Sequence, residues 1–371
     1  MENNMENNTK DNTKDNTKDV IKGAAGIKNK RKNIIIIIIL AAVIISLLSV
    51  VFIYYKRAEN SLKDNSVAAK GRNVDYKALD DGVDYNGEKY IYNDNIVNIL
   101  VLGVDSDLPV TQQQENIGDM GQTDAIYLVS IDTKKKSLMV YAIPRDSMCE
   151  VDVYNKAGKL VSLLDAQLAL QYNFALDCEN SSRLSAEAVS RLMLNIPISR
   201  VCVFNCEAIG VINDAVGGVE VTIENDFTDE SGEVLELEFY KGNTLKLNGE
   251  QAVTFIRERD CTIFKSAMDR GERQEQYISS LVSTAKSKLK RNPMIALSIL
   301  NKLKENDCIY TDISASELMY IAQLAGRTHF SMEDVTTIPG EVKMGEEFEE
   351  YHTDSMALKK IVLENFYTKV K

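Results

Sequence analysis

Histidine is nearly absent. The 371 residues hold two, His329 and His352, both near the C-terminus. A zinc centre built on imidazoles, or a serine–histidine–aspartate triad, has almost nothing to draw on. Cysteine is sparse. The six, Cys149, Cys178, Cys202, Cys206, Cys261 and Cys308, include no Cys-x-x-Cys pair. Spacing gives no disulfide connectivity, and small buried apolar residues are the alternative reading. Positive charge is short as well: the chain carries −12 overall. Residues 1–57 hold ten Lys/Arg and five Asp/Glu, so residues 58–371 carry −17. A domain this acidic repels nucleic acid, and no helix-turn-helix pattern or basic patch is evident. Transcriptional regulation is a poor fit.

One long apolar run is present. Residues Ile34 to Tyr54 open with six consecutive isoleucines and contain only Ser46 and Ser49 as polar residues. Roughly 20 apolar residues cross a bilayer, and in lipid a helix satisfies its own backbone. The run exceeds a signal-peptide core, and no small-x-small cleavage site follows. Lys28, Lys30, Arg31 and Lys32 precede it, and Lys56 and Arg57 follow. This modest bias favours a cytoplasmic N-terminus and an exported C-terminal domain, where disulfides are permitted. Residues 8–19 repeat Asn-Thr-Lys-Asp three times. Such a polar tract cannot bury a core. The expected organisation is a disordered cytoplasmic tail (1–33), a transmembrane helix (34–55), a juxtamembrane linker (56–90) and an extracellular domain (91–371).

Within that domain, aliphatic and β-rich runs predict strands at 95–104, 125–131, 137–143 and 200–205. The second and third read as an antiparallel pair. Gly217-Gly218 predicts a turn before another strand. Helical spacing is expected over 165–175, with Asp165 as cap, over 185–194, with Ser185 as cap, and over 269–289. Residues 252–259 are β-rich and predict a strand. Strands interleaved with helices indicate an α/β fold with a sheet that is not all-parallel.

Several residues suit phosphate chemistry. Arg257 and Arg259, two apart on the expected strand, would share one face and offer two guanidinium forks; a solvated edge paired with Glu258 and Asp260 is the plainer reading. Arg270, Gln274 and Tyr277 line one face of the expected helix, near its anion-favouring start. Asp105 and Arg145 follow strands, and Asp124 precedes one. Each aspartate alone reads as a cap or turn residue. Together, carboxylates and arginines without histidine suit metal-assisted phosphoryl transfer.

The segments 98–106 (NILVLGVDS), 123–147 (TDAIYLVSIDTKKKSLMVYAIPRDS), 212–221 (INDAVGGVEV), 247–259 (LNGEQAVTFIRER) and 270–274 (RGERQ) occur in an order that resembles the LytR-CpsA-Psr family of cell-wall polymer ligases. The C-terminal stretch is similar to a clostridial branch of that family. The resemblance implies a central mixed, largely antiparallel sheet flanked by helices, with an apolar groove for a polyprenyl chain. It implies a phosphotransferase that moves a glycopolymer from an undecaprenyl-pyrophosphate carrier to peptidoglycan, with Mg²⁺ or Mn²⁺. By position, Asp105 and Asp124 correspond to metal-binding carboxylates. Arg145, Arg257, Arg259, Arg270 and Gln274 correspond to the pyrophosphate site. Asp124, Arg257 and Arg259 would carry catalysis. Gln122 and Ala267 depart from the family pattern, which commonly has Arg and an acidic residue there. A non-catalytic polyprenyl-phosphate binder and a lipid pyrophosphate hydrolase are the alternatives.

Overall fold

The computed structural model describes residues 59–62, 82–224, 239–257, 266–292, 294–325, 328 and 334–370. The apolar run at 34–54 lies outside them, as do Arg259 and Cys261. Among the described residues no helix is long and apolar enough to cross a membrane.

Strands β1 (Val83–Tyr85) and β2 (Glu88–Tyr92) form a hairpin. Then come β3 (Ile96–Val104), β4 (Thr123–Asp132) and β5 (Ser137–Ile143). A second hairpin follows, β6 (Met148–Tyr154) with β7 (Leu160–Gln167). A 3₁₀ segment (Leu168–Phe174) leads to α1 (Cys178–Leu192), β8 (Arg200–Phe204), α2 (Ala208–Ala215), β9 (Val219–Thr222) and β10 (Thr244–Leu247). Helices α3 (Gly249–Arg257), α4 (Ser266–Arg291) and α5 (Ile295–Glu305) come next. The chain closes with β11 (Ile309–Thr311), α6 (Ala315–Ala325), β12 (Val335–Thr337), β13 (Gly340–Met344), β14 (Glu349–Thr353), α7 (Ser355–Phe366) and β15 (Tyr367–Lys369).

The main sheet has six strands in the order β11-β8-β3-β4-β5-β12. The β3–β8 and β5–β12 pairs are parallel and the other three antiparallel. The sheet is therefore mixed and largely antiparallel, as expected. Alternation along β3 splits the core in two. Val97, Ile99 and Val101 join a cluster covered by α2 to α6. Ile96, Leu100 and Leu102 join another, covered by α1 and α7. Burial on both faces explains why β3 reads as a continuous aliphatic run. The expected turn is present: Gly217 and Gly218 have φ of 83° and 87° and lead into β9.

Three expectations fail. Residues 252–257 of the expected strand are helical instead, within helix α3 (Gly249–Arg257), and 258–259 lie outside the described residues. The Asn248 side chain accepts from the Gln251 N–H at 2.8 Å, and the Gln251 side chain accepts from the Asn248 N–H at 3.0 Å. This reciprocal cap starts a helix that buries Ala252, Phe255 and Ile256, at i, i+3 and i+4. Capping and burial override the β-propensity of Val253 and Thr254. Residues 165–167 end β7, and the 3₁₀ segment replaces the expected helix. Asn155 closes the β6–β7 turn, its side chain accepting from the Ala157 and Lys159 N–H groups. Helix α1 starts at Cys178 rather than Ser185, because the Asp177 side chain accepts from the Asn180 N–H at 2.8 Å.

The five described cysteines, Cys149, Cys178, Cys202, Cys206 and Cys308, are all unpaired thiols.

Candidate functional site

The sheet places three of the expected residues at one rim. Gly103 pairs with Ala125 and Val104 with Thr123, which leaves Asp124 as the extra residue of a bulge. Bulges re-aim side chains at sheet rims. Asp105 leaves β3 beside it, and its N–H donates to the Gln122 carbonyl at 3.0 Å. Arg145 emerges after β5 behind Pro144, which cannot extend a strand ladder.

Arg145 reaches back across the rim. Its Nη1 donates to Asp124 Oδ1, and its Nη2 donates to Gln122 Oε1 at 2.5 Å. Its Nε lies 3.4 Å from Asp146 Oδ1. Gln122 thus helps to orient Arg145. Burial pushes the Asp146 carboxyl above its ordinary range; Arg145 opposes the shift and Glu349 adds to it.

The second half of the site comes from the helical layer. Arg257 stands in the last turn of α3, not on a strand. Its Nη1 and Nη2 donate to the two carboxylate oxygens of Asp107, at 2.8 and 3.3 Å. Two side chains of α4 secure this helix end. Arg273 Nε donates to the Phe255 carbonyl at 2.9 Å, and Gln274 Nε2 donates to the Ile256 carbonyl at 2.7 Å. Both satisfy carbonyls that a helix terminus leaves unpaired. Tyr277, one turn on, is buried and donates to Asn213. Arg270 lies in α4, with its side chain outside the described residues. Arg257 stands on a helix rather than the expected strand, and Arg259 lies outside the described residues.

Cys206 joins the two halves. Its Sγ lies 3.7 Å from Asp105 Oδ1. Burial pushes the thiol up to about 11, and Asp105 pushes the same way against Arg257. It therefore stays a neutral S–H beside the Asp105 carboxylate. Asp107 and Cys206 escaped the sequence reading. Asp107 carries one faint signal, its place two residues after Asp105. Cys206 carries none.

Among the described residues no three His, Cys, Asp or Glu side chains lie close enough to hold a metal. Asp105 and Asp124 supply two hard oxygen donors at one rim. Mg²⁺ is commonly held by one or two carboxylates plus water and substrate phosphates. Asp124 Oδ1 is already engaged by Arg145, so a cation here would draw on Asp105, the second Asp124 oxygen and oxygens of the phosphate itself.

The molecule is thus an α/β protein with an arginine–carboxylate rim at the ends of its central strands. The chain belongs to the LytR_cpsA_psr family, whose model matches residues 50–365. It is 30% identical over 173 residues to the polyisoprenyl-teichoic acid–peptidoglycan teichoic acid transferase TagU of Bacillus cereus (strain AH820), covering 47% of each chain. It is 24% identical over 225 residues to the corresponding transferase TagV of Bacillus subtilis (strain 168), covering 60% of this chain and 53% of the other. The chain spans about half the length of the curated relatives it matches. The crystal structure of the protein gbs0355 from Streptococcus agalactiae superposes with a TM-score of 0.50 at 20% identity, over 72% of this chain and 85% of that one. That likeness shows a shared fold.

Proposed function

We propose that the chain is a phosphotransferase that moves a glycopolymer from an undecaprenyl-pyrophosphate carrier to a hydroxyl of peptidoglycan. The observation that carries this reading is the meeting of Arg145, Asp124, Asp105 and Arg257 at one rim, from four separate elements. Phosphoryl transfer depends chiefly on position and on charge stabilisation. Arg145 and Arg257 supply guanidinium forks for the phosphate oxygens. Arg259, Arg270 and Gln274 would complete that cradle. Asp124 would accept the proton of the attacking sugar hydroxyl.

Asp105 and Asp124 would hold Mg²⁺ or Mn²⁺. When bound, the cation would neutralise phosphate charge. The residues 34–54 would anchor the protein in the cell membrane, N-terminus inside and the domain at 91–371 outside.

The test is reconstitution with a polyprenyl-pyrophosphate-linked glycan and peptidoglycan fragments. The wild type should join the two and release polyprenyl phosphate. Arg257→Ala or Asp124→Ala should remain folded and lose about 10²–10³ in rate, the scale of a lost transition-state contact. The pairing of both arginines with carboxylates favours one second reading, a carrier-binding protein without transfer. Retained carrier binding with no joined product would select it. Release of free glycan would point to hydrolysis.

A further inference from the structure

The end of the sheet opposite the site carries a different charge pattern. Residues 59–62 form one helical turn that packs there. Leu62 is fully buried in the core cluster under α2 to α6. The Ser61 carbonyl accepts from Arg200 Nη2 at 3.2 Å. Arg200 opens β8, is itself buried, and pairs with buried Glu317. The segment that follows the apolar run is therefore seated on the domain at the start of β8.

The β4–β5 turn lies at the same end, because Asp132 pairs with Ile96, the first residue of β3. It presents Lys134, Lys135 and Lys136, all exposed, in a domain of strong acidic excess. The turn is rigid. Asp132 Oδ1 accepts from the Lys134 and Lys135 N–H groups at 3.0 and 2.7 Å, and Thr133 Oγ1 donates to the Asn95 carbonyl at 2.8 Å. The acidic groups nearby are mostly engaged: Asp132 holds the turn, Glu317 pairs with Arg200, and Asp312 accepts from the Val201 N–H. Among the described residues Glu59 and Asp94 also lie at this end. The far rim instead gathers four carboxylates, Asp105, Asp107, Asp124 and Asp146, against the two arginines Arg145 and Arg257 that pair with three of them.

We propose that the Lys134–Lys136 turn and the Ser61–Arg200 contact form the face that this domain turns toward an anionic bilayer surface. The proposal rests on the reading of residues 34–54 as a membrane span. Six residues separate Tyr54 from Ser61. Seven extended steps reach at most about 25 Å, so this end of the sheet stays near the headgroups. Lysines gain from a negative lipid surface within a Debye length, and the carboxylate-rich rim is repelled by it. The nine residues of β3 then set the phosphate-handling rim about 26 Å beyond the bilayer-facing end. The rim points toward the wall, where the acceptor lies. The carrier headgroup reaches it only by leaving the headgroup plane.

The test uses the full chain in vesicles of phosphatidylcholine, with or without phosphatidylglycerol, carrying a photoactivatable headgroup label. With phosphatidylglycerol, the peptide bearing Lys134–Lys136 should be labelled, and the loop bearing exposed Leu108 should not. The triple variant Lys134→Gln, Lys135→Gln, Lys136→Gln should lower that labelling at least about tenfold while carrier transfer in detergent persists. Labelling centred on the Leu108 loop, or labelling of the turn unchanged by the triple variant, overturns the proposal. An alkaline wash separates the underlying reading: a chain stripped from the vesicles loses both the span and this proposal, and a chain retained with an unlabelled turn loses the proposal alone.

Discussion

Arg257 and Asp107, 150 residues apart in sequence, form a two-pronged ion pair at the end of α3, with contacts of 2.8 and 3.3 Å. The carboxylate occupies the two nitrogens that a phosphate would use. Asp107 is also fixed from behind, since the neighbouring Leu108 carbonyl accepts from Asn205 Nδ2 at 3.0 Å. A phosphate ligand must exchange with it.

Asp107→Asn should therefore bind pyrophosphate more tightly than the wild type. Both side chains are well exposed, 41% and 58%, so the pair contributes about 1 kcal/mol or less. The expected gain is up to roughly fivefold in Kd, measured by calorimetry with inorganic pyrophosphate. Weaker binding would mean that Asp107 positions Arg257 for the ligand rather than competing with it.

Cys206 reports on the charges around it. Its thiol sits near 11, above an ordinary 9.0, through burial and then Asp105. At pH 8 its thiolate fraction should be roughly 100-fold below that of an ordinary cysteine, and alkylation correspondingly slow. Asp105→Asn removes an anion and should speed alkylation of Cys206. Arg257→Ala removes a cation and should slow it. Peptide-resolved iodoacetamide kinetics across pH 7–10 check both signs. Equal rates in all three proteins would place Asp105 and Arg257 away from the thiol.

Arg200 and Glu317 pair in the interior, 7% and 2% exposed. Burial alone would raise the Glu317 carboxyl, but hydrogen bonds from Arg200 and Ser314 outweigh it and hold the group below its ordinary 4.5. A depressed carboxylate adds stability above its unfolded value, and that stability fades as pH falls through the folded value. Denaturation followed from pH 7 down to pH 3 should show this loss in the wild type, and a smaller one in Glu317→Gln. Arg200→Ala at pH 7 should cost about 3–5 kcal/mol, because it strands a buried charge. It should also release the 59–62 turn, detectable as faster amide exchange at Leu62.

The sequence made parts of this architecture legible. Strands buried on both faces announce themselves as unbroken aliphatic runs, so β3, β4, β5 and β8 were readable, as was the Gly217-Gly218 turn. Helix α3 was misread because Val253, Thr254, Phe255 and Ile256 favour strands locally. Its Asn248–Gln251 cap was visible in sequence and was the stronger signal. Residues 165–167 pair with 148–150, a contact that local spacing does not encode. At the site, Asp105, Asp124 and Arg145 could be placed at strand ends from their flanking runs. The bulge that re-aims Asp124, the turn of Arg145 back onto Gln122, and the Asp107–Arg257 pair depend on register and on tertiary packing, and no local pattern carries them.

The decisive experiment is mass spectrometry of the joined product, from purified full chain supplied with a polyprenyl-pyrophosphate-linked oligosaccharide and a peptidoglycan fragment. The wild type should form a phosphodiester between the saccharide and a glycan hydroxyl, and Arg257→Ala or Asp124→Ala of unchanged melting temperature at most a trace. The same phosphodiester formed at wild-type rate by both variants would remove Arg257 and Asp124 from the transfer chemistry.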